Sequence, residues 1–259
     1  MLDEILLSTK NFVYLIKLNF LELKIRYRRS FLGPIWITLS TLILVLSISF
    51  IFSSFFGVQA ANFTLYFGLG FIIWTFAHQS IIESCSIFIS KESAIKNSKL
   101  SFINLLTSLL IRNFIIFLHN LSLLPFFLVI SDLNINLFNL VLFIFGLFVL
   151  ILFLFPIMIL CSIIATRFRD FTQLLTSIMQ IVYFISPIMW MPNLIGGKRK
   201  ILLIDFNPVY HFLEITRGII YHGNFNSSSL LICVLICLIT WFLSFVLYKK
   251  FENKIIFWI

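Results

Sequence analysis

Six long apolar runs leave this chain very few folds: residues 33–56, 66–89, 102–130, 137–164, 174–190 and 229–248. A hydrocarbon layer about 30 Å thick is crossed by about 20 helical residues. Each run has the composition of such a crossing, and the third and fourth are long enough to tilt or protrude. Within lipid every backbone N–H and C=O must be paired inside the protein, which admits only helices or closed barrels. The ten-residue alternation of barrel strands occurs nowhere in the sequence. The expected fold is therefore an all-α polytopic membrane protein with six transmembrane helices in one domain, 1–259. Composition agrees, because 61% apolar and 11% charged residues exceed what a single water-covered core can bury. A disordered chain and a soluble nucleic-acid binder are excluded with it, despite a net charge of +9.

Positive charge orients the runs. Fourteen of the nineteen Lys and Arg residues fall on one side: in the segment before the first run, in the loops after the second and fourth, and in the tail. Both termini are expected in the cytoplasm. No cleavable leader is expected, since Lys10, Lys17, Glu22 and Lys24 interrupt the first apolar stretch. Residues 3–29 instead pattern as an amphipathic helix lying in the interface. Leu6, Val13, Ile16, Phe20 and Leu23 recur at helical spacing, with Lys10, Lys17, Asn19 and Lys24 between them, and Arg26, Arg28 and Arg29 close the segment. A plain topology signal is the simpler alternative. Gly33-Pro34 then breaks the backbone before the first crossing.

The outer loop 193–226 is long and only partly polar. Asn207 and Pro208 suit the cap and first residue of a helix of about three turns. That helix is too short to span, so it should rest in the outer leaflet or over the mouth of the bundle, with Tyr210, Phe212 and Tyr221 at interface level. Pro187 should kink or end the fifth run.

Catalytic chemistry is sparse. No nucleotide loop, nucleophile elbow or zinc-protease motif is present, and Cys85, Cys161, Cys233 and Cys237 sit in apolar runs without metal-ligand spacing. No catalytic or metal-binding residue is assigned. Two intramembrane charges need partners, Glu83 in the second run and Arg112 in the third, and a structural ion pair between them satisfies both. The competing reading has Arg112 snorkelling inward and Glu83 facing water. His78, Gln79, Asn113 and His119 read as hydrogen-bonding groups between helices.

Three segments carry a family resemblance: residues 23–36, with Arg26, Arg28, Arg29, Leu32, Gly33, Pro34 and Trp36; Arg167-Phe168-Arg169-Asp170 followed by Gln173 and Ser186-Pro187-Ile188-Met189-Trp190; and residues 207–217. In this order and spacing the chain strongly resembles the membrane subunits of type 2 ABC exporters, in the branch that exports O-antigen, capsule and teichoic-acid polysaccharides. The resemblance implies a homodimeric permease in the bacterial plasma (inner) membrane. It implies two copies of a separate subunit that binds ATP and Mg, with no cofactor held by this chain, and a lipid-linked glycan as substrate. It places residues 3–29 and the loop with Lys91, Lys96 and Lys99 against the ATPase. Leu32, Gly33 and Pro34 would lie at the cytoplasmic entrance, with Arg167, Phe168, Arg169 and Asp170 near it, and the short outer helices over the exit. The first and fifth spans would line the channel, and Trp36, Tyr183, Trp190, Tyr210 and Phe212 would be channel or exit aromatics. A type 2 exporter of drugs or other lipids is the nearest alternative. An ion-coupled secondary transporter or channel is a rival of another class, and an integral-membrane enzyme comes last.

Overall fold

The structure is a computed structural model that describes residue 4 and residues 12–26, 28, 30–98, 101–131, 133, 135–192 and 201–259. Arg29, Lys99, residues 193–200 and most of the chain before residue 12 lie outside the described residues, as does the side chain of Arg26. No strand occurs among the described residues.

Helix α1 (Phe12–Arg26) is followed by α2 (Ile35–Phe56), α3 (Ala60–Ser90), the short α4 (Glu92–Ser98), α5 (Phe102–Leu121), α6 (Leu124–Ser131), α7 (Leu137–Arg167) and α8 (Phe171–Ile185). A π-helical turn Ile201–Asp205, α9 (Pro208–Leu213), a second π-helical turn Glu214–Gly218 and α10 (Ile219–His222) form a lid before the last helix, α11 (Ser227–Trp258). Five segments are long and apolar enough to cross a membrane: α2, α3, α5 with α6, α7 and α11. At 1.5 Å per residue the 15 residues of α8 reach about 22 Å, short of a full crossing. The reason is local. Ser186 precedes a proline and is extended (φ −78°, ψ 147°), so the helix stops at Ile185. The third run is likewise broken rather than continuous. Pro125 has no N–H to offer the carbonyl of Leu121, and a turn at Ser122-Leu123 separates α5 from α6. The final helix runs ten residues beyond the expected limit at Tyr248, carrying Lys249, Lys250 and Lys254 as far as Trp258.

Helix α3 is the axis of the bundle. It packs on α2, α5, α6, α7 and α8, and Phe63, Leu65, Phe67, Leu69 and Ile72 lose all solvent contact. Fully buried serines at its other contacts, Ser80 and Ser84, and Ser162 on α7, let helices approach closely where apolar attraction between helices in lipid is weak. By contrast few residues of α2 are buried. Its contacts are narrow: Val45, Ser49 and Ser53 face inward, and Thr38 Oγ1 donates to the carbonyl of His119 at 3.2 Å. All four cysteines are buried and free.

The segment before α2 differs from expectation in its packed face. Leu15, Asn19 and Leu23 are buried, while Val13, Ile16 and Phe20 are exposed. Asn19, read as polar-face, instead donates through Nδ2 to Leu15 O at 2.8 Å and to Ser108 Oγ on α5 at 2.9 Å. In a lipid setting both helix faces can be apolar, and a polar group that finds a partner helix defines the contact.

Gly33 adopts φ +57°, and the carbonyls of Leu32, Gly33 and Pro34 start the first turn of α2. Space around its Cα is open, so only the backbone resists a side chain there. Gly33→Ala is expected to cost about 1–2 kcal/mol, seen as a lower unfolding temperature of the purified protein.

Candidate functional site

At the end of the bundle that carries α1 and α4, the basic residues are not all free. Lys91 is 3.9 Å from Glu22 of α1, and Lys96 meets Glu92 at 2.6 Å within α4. That hydrogen bond to Lys96, with its charge, holds the Glu92 carboxyl below the usual range; Arg169 adds a smaller electrostatic pull. Arg28, Phe168, Arg169 and Asp170 are exposed, as is Pro34, with Leu32 and Gly33 half-buried beside it. Arg167 is already engaged, its guanidinium 5.5 Å from the Trp258 ring and 5.9 Å from Phe168. Trp258, near the chain's end, was not singled out from sequence.

Glu83 and Arg112 are brought together: Arg112 Nη2 donates to Glu83 Oε2 at 2.6 Å, with 40% and 17% of the respective side chains exposed. The cleft beside Glu83 also holds Ile37, Ser40 and Thr41, so the pair lies level with the first turns of α2. Partial exposure tempers the energy. Glu83→Gln or Arg112→Gln alone is expected to cost about 1–3 kcal/mol, most of it from the ion left behind. In a charge-swap cycle read by thermal unfolding, the double reversal should recover most of the loss; failure to recover would leave the two charges uncoupled.

Of the four residues read as interhelical hydrogen bonders, Asn113 reaches Ser80 at 3.5 Å, while His119 Nδ1 meets the carbonyl of Ile115 in its own helix. His78 and Gln79 instead line clefts on either side of α2. One cleft, of about 370 Å³, lies between α2, α3 and α5. The other, of about 400 Å³, lies between α2, α3 and α8, and is walled by Trp74, His78, Gln180 and Tyr183. Trp74 and Tyr183 meet at 5.8 Å between ring centroids. Trp36 is exposed on the first turn of α2. Trp190 is not free: its Nε1 donates to Phe184 O at 3.1 Å, closing the turn after α8.

The lid is held by buried polar contacts. Asn207 Oδ1 accepts from Val209 N at 3.0 Å and Tyr210 N at 3.4 Å, the expected cap on Pro208. Its Nδ2 donates to Ser186 Oγ at 3.1 Å, tying the lid to the end of α8. His211 bridges Asp205 O (2.9 Å) and Ser229 Oγ of α11 (3.1 Å). Phe212 is a correction: it stacks on Phe153 at 4.5 Å and is 4% exposed, inside the bundle rather than at an interface. Tyr210 and Tyr221 are half-buried, and burial pushes both phenols up; the charge of Glu214 adds to the rise at Tyr210, and that of Arg217 opposes it at both.

Arg217, within the loop 193–226, is 2% exposed. Its guanidinium lies 3.6 Å from the centre of the Tyr66 ring, and Nη2 donates to Tyr66 Oη at 2.8 Å and Pro187 O at 2.9 Å. Nη1 has no partner and sits against Gly70, where an added Cβ would come within 2.5 Å of it. Gly146 on α7 gives the lid its other close approach, to the backbone of Ile215. No cluster of metal-ligating residues occurs among the described residues.

Comparison with known proteins agrees with this architecture. Residues 12–221 match the family described as ABC-2 type transporter, a range that runs from α1 through the lid. Two proteins of Klebsiella pneumoniae, each named O-antigen export system permease protein RfbA, are similar. One is 23% identical over 215 residues, 79% of each chain, and the other 22% identical over 243 residues, 90% of each. With a family match that covers most of its length, this multi-pass membrane chain belongs to the ABC-2 type transporter family.

Proposed function

We propose that the chain is the permease subunit of an ATP-driven exporter that carries a lipid-linked polysaccharide, of the O-antigen kind, across a bacterial inner membrane. The observation that carries this reading is the agreement with two O-antigen export permeases along most of both chains. In this reading α8 and the turn after it make the fifth of six crossings, both termini are cytoplasmic, and the lid faces outward. The chain acts as a homodimer with two ATP-binding subunits. The exposed apolar stripe of α8, Leu174, Ile178, Ile181 and Ile185, together with the poorly covered α2, supports a second copy there. ATP binding in the partner moves α1 and α4; α1 is joined to α5 through Asn19–Ser108, so the motion reaches the helices around the Glu83 cleft. The basic residues Arg28 and Arg169 are exposed near the entrance and suit the pyrophosphate of a lipid carrier.

Deleting the gene is expected to remove the surface polysaccharide and to leave its lipid-linked precursor on the inner leaflet, with recovery on complementation. The full chain should co-purify with an ATPase that lipid-linked glycan stimulates. Unchanged surface glycan with altered drug efflux would favour the drug-exporter alternative.

A further inference from the structure

The cleft between α2, α3 and α5 is more polar than a lipid-facing groove requires. Six polar residues line it: Ser40 and Thr41 from α2, Thr75, Gln79 and Glu83 from α3, and Asn120 from α5. Ser40, Thr41 and Thr75 donate their hydroxyl hydrogens to carbonyls of their own helices, which leaves the oxygens free to accept. Asn120 is 6% exposed and its Oδ1 has no partner. Glu83 gives Oε2 to Arg112, and no described residue bonds its other oxygen. An unmet buried acceptor such as Asn120 Oδ1 is costly, and the other acceptors of the cleft are open to an occupant.

Such a wall selects its occupant by chemistry. Acceptors predominate, so the ligand must be rich in donors. The Glu83 carboxylate repels phosphate, and the Arg112 guanidinium beside it opposes a bare cation. A neutral polyol meets both conditions, and about 370 Å³ lies within the common range of small-ligand sites, roughly 300–1,000 Å³. We propose that this cleft is a sugar-binding subsite, taking one neutral, polyhydroxylated unit between α2 and the Thr75–Gln79–Glu83 stripe of α3. The proposal rests on the export reading for the source of the sugar. Loose packing of α2 lets that wall move as the unit enters and leaves.

The test uses the full chain in phosphatidylethanolamine/phosphatidylglycerol nanodiscs and two photoactivatable probes. One is an alkyl glucoside with a diazirine on its sugar; the other is an alkyl phosphocholine with the same group on its head. The glucoside should label peptides covering residues 37–44 and 75–83, and the phosphocholine should not. Gln79→Leu and Asn120→Leu should each reduce labelling by about three- to tenfold, the equivalent of one lost hydrogen bond. Leu46→Ala, on an exposed part of α2, should leave it unchanged. Thermal unfolding of each variant separates a folding defect from a binding one, and Thr41→Val supplies a milder substitution if either leucine variant misfolds. Equal labelling by both probes, or glucoside labelling indifferent to the cleft substitutions in folded protein, would overturn the subsite. The gene deletion tests export and the labelling tests the cleft, so either can fail alone.

Discussion

Gly146→Ala is expected to displace the lid and to be the most damaging single methyl addition in the chain. An added Cβ would overlap the carbonyl oxygen of Ile215 and lie 2.9 Å from its carbon. Those are backbone atoms of a π-helical turn that is itself buried, with Ile215 and Thr216 wholly inaccessible. No rotamer change relieves the overlap; α7 and the lid must separate. Overpacking of this sort costs about 1–3 kcal/mol even where side chains can adjust, and here they cannot, so the upper end applies. Gly68→Ala makes the useful contrast. Its Cβ would meet the edge of the Phe127 ring at 2.7 Å, and a ring has rotational freedom that a carbonyl lacks. The expected order is therefore a large drop in unfolding temperature for Gly146→Ala and a smaller one for Gly68→Ala. Glu214→Cys, on the rim of a cleft that the lid shares with Pro192 and Asn224, should react faster with a water-soluble maleimide in the Gly146 variant. Equal stability and equal reactivity in the two variants would show that the lid yields more easily than its packing implies.

How far the sequence disclosed this molecule depends on whether a feature is local. The long crossings follow from run length alone, because 20 apolar residues in a helix have few other uses. The end of α8 at Ser186-Pro187 and the start of α9 at Asn207-Pro208 follow from the missing proline N–H and from a capping side chain. The break at Pro125 carried the same local signal and was absorbed into an apolar run instead. What stayed hidden was long-range. Tyr66 and Arg217 are 151 residues apart, and Gly146 matters only because Ile215 lies across from it. Nothing in the neighbourhood of either residue marks the partner. The packed face of α1 was hidden for a different reason: amphipathic patterning assumes water on one side, and here Asn19 turns toward α5 for its hydrogen bond. Glu83 and Arg112 form the middle case. Their pairing was open to argument because an unpaired charge in lipid is costly, yet their level beside the first turns of α2 emerged only from the packing of three helices.

Arg217→Met is expected to leave the protein folded while uncoupling the lid from α3 and from the turn after α8. Burying a cation ordinarily demands a carboxylate, because desolvation outweighs what neutral groups return. Arg217 is 2% exposed, and its observed hydrogen-bond partners are the Tyr66 hydroxyl and the Pro187 carbonyl, with the Tyr66 ring beneath it. Methionine removes a charge without stranding an opposite one, and its flexible chain fills much of the same space. The lost stacking is worth about 2 kcal/mol when desolvated, and the relieved desolvation is of opposite sign, so the net change in stability should be small. The geometry is different: Nη2 alone joins the Tyr66 hydroxyl and Pro187 O while the planar guanidinium lies over the Tyr66 ring. Arg217→Lys should therefore fail to restore function although it keeps the charge, since a point-like ammonium on a flexible stem cannot stack and bridge together. Under the export reading, surface polysaccharide should fall about tenfold or more in both variants, the equivalent of about 1.4 kcal/mol in the coupled step, with protein level and unfolding temperature near those of the parent. Tyr66→Phe should fall between, because it keeps the stacking ring and the bond from Arg217 to Pro187 O but loses the hydroxyl that accepts from Arg217 and reaches the carbonyls of Pro187 and Trp190. A variant set in which Lys rescues export fully would assign Arg217 the role of a charge alone, and one in which Met unfolds the chain would make it a structural brace.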